Sequence, residues 1–334
     1  MQKQSLSVAS LALAVAVTLS TVRAQTPGAA QQVESVQLRR TADQSAQQFK
    51  EGDTVPELSL GESGDVGPQS VLALKPRKKW FEATADVQYF YTDNMLLNNG
   101  SEQSADALVS TAEIALAPDP YPVWGGKLAP RVGYRHQWFD FGLGGATLNN
   151  SALKLNTFDF NAQTPFVDLR WSYEDWIVSA GFDYTRLLTT SGYDEFYHES
   201  VPHWGVQRLF ALCPKSELAL GYEGDYRFTD ADVFANRNFN DRTDHALFAA
   251  LTCSLCEHVI VQPYYRFKYT HFTSTLDGSD YLNSFGIGVY YFFTKQISAR
   301  AFFAYDIKRT HGATVTPDYD RLDAGGGVNF NIRF

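Results

Sequence analysis

Residues 80–92 read WFEATADVQYFYT. Phe81, Ala83, Ala85, Val87, Tyr89 and Tyr91 alternate with Glu82, Thr84, Asp86 and Gln88. Successive side chains of a strand point to opposite faces, so this segment predicts a strand with one apolar and one ionic face. An outward apolar face with a polar inner face, over about ten residues, suits a tilted strand that crosses a bilayer.

The pattern recurs down the chain. Leu218, Leu220 and Tyr222 alternate with Glu217, Glu223, Asp225 and Arg227 on the other parity. Val259, Val261, Tyr265, Phe267 and Tyr269 flank Gln262, Arg266 and Lys268. Ile297, Ala299, Ala301, Phe303, Tyr305 and Ile307 flank Ser298, Arg300, Asp306 and Lys308. Leu322, Ala324, Val328, Phe330, Ile332 and Phe334 flank Asp323, Asn329, Asn331 and Arg333. Counting such segments predicts twelve strands: 80–92, 107–117, 127–141, 157–173, 176–188, 199–212, 217–229, 242–254, 258–272, 280–293, 296–309 and 319–334. Arg208 falls on the apolar face of the sixth, and Pro165 interrupts the fourth, so both predict bulges.

The connections alternate. Asp93–Asp106, Gly142–Asn156, Thr189–His198, Thr229–Asp241, Thr273–Ser279 and Thr310–Asp318 are long and polar, while most of those between are tight. An all-β, antiparallel up-and-down transmembrane barrel has this form, with short periplasmic turns and longer extracellular loops. Lipid offers no partner for an open sheet edge, so the sheet has to close. An even strand number places both termini on the periplasmic side. Trp80, Tyr121, Trp124, Trp138, Trp176, Tyr193, Tyr197 and Tyr281 are placed for interfacial girdles.

Composition divides the chain at Trp80. Of 18 Tyr, 24 Phe and 6 Trp, only Phe49 precedes it. Residues 1–24 read as a signal peptide: Lys3 leads an apolar run from Leu6 to Ser20, and Val22-Arg23-Ala24 forms the cleavage site. Residues 25–79 read as a poorly ordered periplasmic linker or a lumen plug, with one short helix over 31–50. The barrel takes 80–334. The net charge of −9 argues against a nucleic-acid partner.

Phe334 ends an alternating strand with Phe330 and Ile332 on its face. This resembles the carboxy-terminal assembly signal of Gram-negative outer-membrane barrels. Tyr91-Thr92-Asp93-Asn94-Met95-Leu96 resembles the end of the first strand in porin-like members of that class. The resemblance covers residues 76–334. It implies an outer-membrane location, the barrel-insertion machinery as an assembly partner, and lipid and lipopolysaccharide as surroundings.

The ionic face is the main functional feature. Its lumen-lining candidates are Glu82, Asp86, Arg131, Arg135, Glu223, Asp225, Arg227, Arg266, Lys268, Arg300, Asp306, Lys308 and Arg333. They predict a passive or weakly selective channel for small polar solutes. The alternative is a non-conducting structural or adhesive barrel whose lumen is filled by salt bridges. Twelve strands lie between a filled eight-stranded barrel and an open sixteen-stranded pore. On the channel reading, Gln in place of Arg266 or Arg300 costs little stability, and Arg in place of Val261 or Phe303 costs much.

No enzyme or cofactor is predicted. His198 and Ser200 share a strand face, but no hydrolase motif surrounds them. No metal-ligand spacing is evident. The eight carboxylates Asp93, Asp230, Asp232, Asp241, Asp277, Asp280, Asp318 and Asp320 are read as solvated loop groups rather than cation ligands. Cys253, Cys256 and Cys213 lie in periplasmic turns, where one disulfide is expected: Cys253–Cys256, or Cys213 with either.

Overall fold

The computed structural model describes residues 28–49, 79–99, 102–143, 145–148, 154–232, 237–274, 277–314 and 317–334. The expected signal segment and most of the 25–79 linker lie outside the described residues. The strands are β1 (Phe81–Thr92), β2 (Ala105–Leu116), β3 (Tyr121–Val123), β4 (Gly126–Phe141), β5 (Phe160–Tyr173), β6 (Trp176–Thr189), β7 (Glu195–Cys213), β8 (Ser216–Ala231), β9 (Arg242–Cys256), β10 (Val259–Phe272), β11 (Gly278–Phe292), β12 (Ile297–Gly312) and β13 (Tyr319–Arg333). All pairings are antiparallel, and β4 pairs with β2 as well as with the short β3. β1 pairs with both β2 and β13, which closes the ring. The result is a twelve-stranded barrel with β3 as a small extension inside the 118–126 connection.

Closure is fastened at the chain end. The amides of Phe81 and Phe334 each donate to the other's carbonyl, at 3.0 and 2.9 Å. Their rings stack with centroids 5.9 Å apart. Deleting Phe334 removes both hydrogen bonds and the ring contact at the seam. We expect less assembled barrel, read as the loss of the heat-modifiable band, with export into the periplasm unchanged. Unaltered assembly would separate this residue from seam closure.

The outer surface follows the apolar parity. Val87, Tyr89, Phe285, Ile287, Phe303 and Val328 are exposed, as a lipid-facing belt requires. Arg208 does point outward, near the short-turn rim. Its guanidinium stacks over Trp176 and Phe210 at 5.4 and 5.0 Å. The register of β6 against β7 shifts instead between Leu187 and Leu188, and that of β7 against β8 between Ala211 and Cys213. The first of these shifts corrects one girdle assignment. Phe196 and Tyr197 are both buried, and the Tyr197 hydroxyl donates to Glu199 at 2.9 Å. Pro165 causes no shift, since Gln163 pairs with Arg186 and Phe166 with Asp183 in one continuous register.

All three cysteines are free in the structure, and the strand geometry speaks against two of the three pairings offered. Cys253 and Cys256 lie on one extended strand, about 10 Å apart at ~3.3 Å per residue, beyond the reach of a disulfide. Cys213 and Cys253 are each paired with Ser216, so a whole strand separates them.

Residues 28–49 form one helix, α1. At 1.5 Å per residue its length is about 33 Å, matching the bilayer core of about 30 Å. It begins against the long loops, where Gly28, Ala29 and Gln32 line a small gap together with Met95, Phe141 and Phe158. It ends at the short-turn rim, where Ala46 and Phe49 pack with Ile260, Tyr290 and Phe292, and Gln47 donates to the carbonyl of Lys295. The helix therefore runs through the barrel from the long-loop mouth to the short-turn mouth. Gly28, its first residue, lies at the mouth opposite the one expected for the termini.

Candidate functional site

A helix that is polar all round is unstable unless its surroundings satisfy it. The charged residues of α1, Glu34, Arg39, Arg40 and Asp43, point in several directions, and each meets an opposite charge from the wall. Glu34 takes both carboxylate contacts from Lys268 Nζ, at 2.7 and 2.9 Å. Arg39 donates to Asp323 at 3.0 Å. Arg40 donates to Glu113 at 3.0 Å. Asp43 accepts from Arg300. These contacts reach β10, β13, β2 and β12. On a further side, Arg170 of β5 donates to Gln48 at 2.8 Å.

Two glycines of β13 make room for this seating. Gly325 lies between Phe90 and Phe302 in the sheet register. With no side chain there, the two rings approach across it to 6.1 Å. The Arg39 guanidinium rests over both, at 4.5 and 4.7 Å. Gly327 lies between Gln88 and Arg300. Arg300 reaches across it to Asp86 on β1, donating at 2.8 and 3.0 Å. A Cβ on Gly327 would sit 2.7 Å from the Val87 carbonyl and 3.2 Å from Arg300 Nη2. The small residue thus lets one cation join carboxylates from β1 and α1.

The long-loop mouth is closed differently. Ala29, Ala30, Val33 and Val36 enter an apolar cluster with Phe90, Phe139, Phe160 and Tyr197, among others. Beside the helix, against β8–β13, there remains a cavity of about 190 Å³ whose lining includes Arg242, Arg266, Lys268, Tyr264, Ser284 and Arg321.

The sequence candidates fall into three groups. Asp86, Arg135, Arg227, Arg266, Lys268, Arg300, Asp306 and Lys308 are buried inside the barrel. Glu82 and Arg131 pair at 3.2 Å, and Asp225 pairs with Arg227 at 3.0 Å, in half-buried positions. Glu223 is 3.6 Å from Arg266 and more open. Arg333 stands apart: it is exposed at the short-turn rim and donates to the Ala117 carbonyl at 2.7 Å. Its strand parity is inward, but its position at the strand end puts it beyond the lumen.

Among residues that had not been singled out, Glu34, Arg39, Arg40 and Asp43 belong to α1. Arg242, Asp244 and Arg321 belong to the wall. Arg242 pairs with Asp244 at 3.2 Å, and Arg321 with Asp306 at 2.5 Å. The strand parity of β9 and β13 carried the signal for the wall residues.

Other candidate groups are engaged locally. His198 meets Glu195 at 2.7 Å. Asp168, Asp183 and His203 bring ligand atoms within 4.8 Å of one another. Arg135 already donates to Asp183 at 3.2 Å, so this group is arranged as an ion-pair cluster. At the long-loop mouth, Asp93 accepts from the Leu322 amide at 2.8 Å, and Asp320 pairs with Arg309 at 2.7 Å. The Thr310 hydroxyl and then its backbone amide hold the Asp318 carboxyl below the usual range.

No known family model and no curated protein matches the chain. Solved structures do. An outer membrane channel from Pseudomonas putida F1 is 11% identical, with a TM-score of 0.51, over 80% of this chain and 100% of that one. The NanC porin is 11% identical, with a TM-score of 0.41, over 74% and 98%. A bacterial polysaccharide outer membrane secretin is 11% identical, with a TM-score of 0.44, over 77% and 99%. Together with the closed twelve-stranded ring, the first of these makes the fold that of an outer-membrane β-barrel.

Proposed function

We propose that the chain is an outer-membrane channel for small polar solutes, held closed by its own α1. The observation that carries this reading is how the helix is seated. Through its middle, from Glu34 to Asp43, it is held by paired charges, next to a cavity lined by charged and apolar side chains together. A structural core would be expected to use apolar contacts there. Charges on the helix and on the wall can both be hydrated once water enters, which apolar surfaces cannot be, so such a helix can leave and return. On this reading residues 1–24 direct export, and lipid and lipopolysaccharide surround the barrel.

The second reading, a non-conducting barrel, is favoured by the apolar cluster at the long-loop mouth. Planar-bilayer recording separates them. A full-length variant carrying Glu34→Gln, Arg39→Gln, Arg40→Gln and Asp43→Asn keeps the net charge and removes the ion pairs that α1 makes with the wall. It is expected to show long-lived open events where the wild type is mostly closed. If both are silent, the lumen is filled and the channel reading is lost.

A further inference from the structure

Lys268 and Arg266 stand two residues apart on β10, on the same inward face. Both are buried, at 6% and 8% exposure. Lys268 spends its contacts on Glu34, with Asp244 farther off at 3.8 Å. Arg266 Nη1 lies 3.5 Å from Glu34 and Nη2 lies 3.6 Å from Glu223. Its Nε and Nη1 nevertheless make no hydrogen bond among the described residues. A guanidinium this buried with unused donors is costly unless something fills the gap. Both side chains line the cavity beside α1. Arg227 nearby also reaches Glu34, at 3.6 Å, but it and Arg242 have wall carboxylates of their own: Arg227 has Glu199 and Asp225, each at 3.0 Å, and Arg242 has Asp244. The two cations of β10 therefore depend mainly on a carboxylate carried by the helix.

We propose that Lys268 and Arg266 form a binding site for the carboxylate of a small organic acid, which Glu34 occupies as a tethered competitor. The inference rests on the channel reading and names its solute class. Arg offers a planar fork and Lys a point charge, a pair suited to one carboxylate approached from the cavity. Glu34 is part of the chain, so it competes at a high effective concentration, and a free acid binds weakly while α1 is seated. A bound acid in turn favours the unseated helix, because the two cannot hold the same cations.

The test is calorimetric titration of the purified full-length barrel with succinate, at ionic strength matched by sodium chloride. Glu34→Ala removes the competitor and keeps a strong helix former in α1. It is expected to bind succinate at least tenfold more tightly than wild type. Adding Arg266→Gln and Lys268→Gln to that variant is expected to abolish binding. Glu34→Asp, with the carboxylate drawn back by one methylene, is expected to fall between and serves if the alanine variant fails to fold. Equal affinity of wild type and the Glu34 variants, or binding that survives loss of both cations, overturns the proposal. The readout is independent of current. A conducting barrel without succinate binding rejects this site alone, and a silent barrel that binds rejects the channel alone.

Discussion

Replacing Arg300 with Gln is expected to destabilise the barrel by about 3–5 kcal/mol, the cost of removing one partner from a buried ion pair. Arg300 is only 7% exposed and is the cation between Asp86 of β1 and Asp43 of α1. Without it, two carboxylates face each other in a site with little water. The measurement is the midpoint of heat- or urea-driven unfolding in lipid vesicles. Adding Asp86→Asn and Asp43→Asn to Arg300→Gln is expected to restore most of the loss, because the penalty comes from the two stranded charges more than from the missing bonds. A loss below about 1 kcal/mol for Arg300→Gln alone would mean that water already reaches both carboxylates, as it does for exposed pairs. That result would place α1 elsewhere than against β12.

This expectation reverses the one drawn from strand parity on the channel reading. Alternation identifies Arg300 and Arg266 as inward, and only the channel reading makes that face wet. Parity says nothing of the helix in the lumen, which the sequence offers only as one of two roles for residues 25–79 and without its partners. Its sequence, GAAQQVESVQLRRTADQSAQQF over residues 28–49, gives little warning. Its charges lie on several sides and its only aromatic is Phe49, so it reads as a solvated helix. The partners that explain it are distant in sequence: Asp323 lies 284 residues from Arg39 and Lys268 lies 234 from Glu34. The strands, by contrast, were legible because lipid imposes a local rule on every second residue. Where that rule lapses, the reading failed. β3 is three residues long, too short to show a period. Tyr197 sits beside a register shift, where parity changes. The cysteine spacing is a separate case. Their spacing looks like a turn, but β9 continues through Cys256 and holds Cys253 and Cys256 apart.

Placing Arg at Phe303 is the complementary experiment, since it tests the lipid face directly. Phe303 is 44% exposed in the middle third of β12, paired in register with Ile287 and Ala324. At the bilayer midplane an outward Arg costs about 2–4 kcal/mol, falling to about 0–1 near the interface. Phe303→Arg is therefore expected at the high end. Val261 also has lipid-facing parity, but it is two residues from the start of β10 at Val259. That position near the short-turn rim lets a long side chain reach the interface, so Val261→Arg is expected to cost less than the mid-strand change. Native Arg208 already shows how the rim accommodates a cation, by laying it across Trp176 and Phe210. Reversible unfolding in vesicles should thus rank Phe303→Arg well below Val261→Arg in stability. If the two are equal and small, β12 does not face lipid at this depth, and the register that sends Arg300 inward and Phe303 outward is wrong along with it.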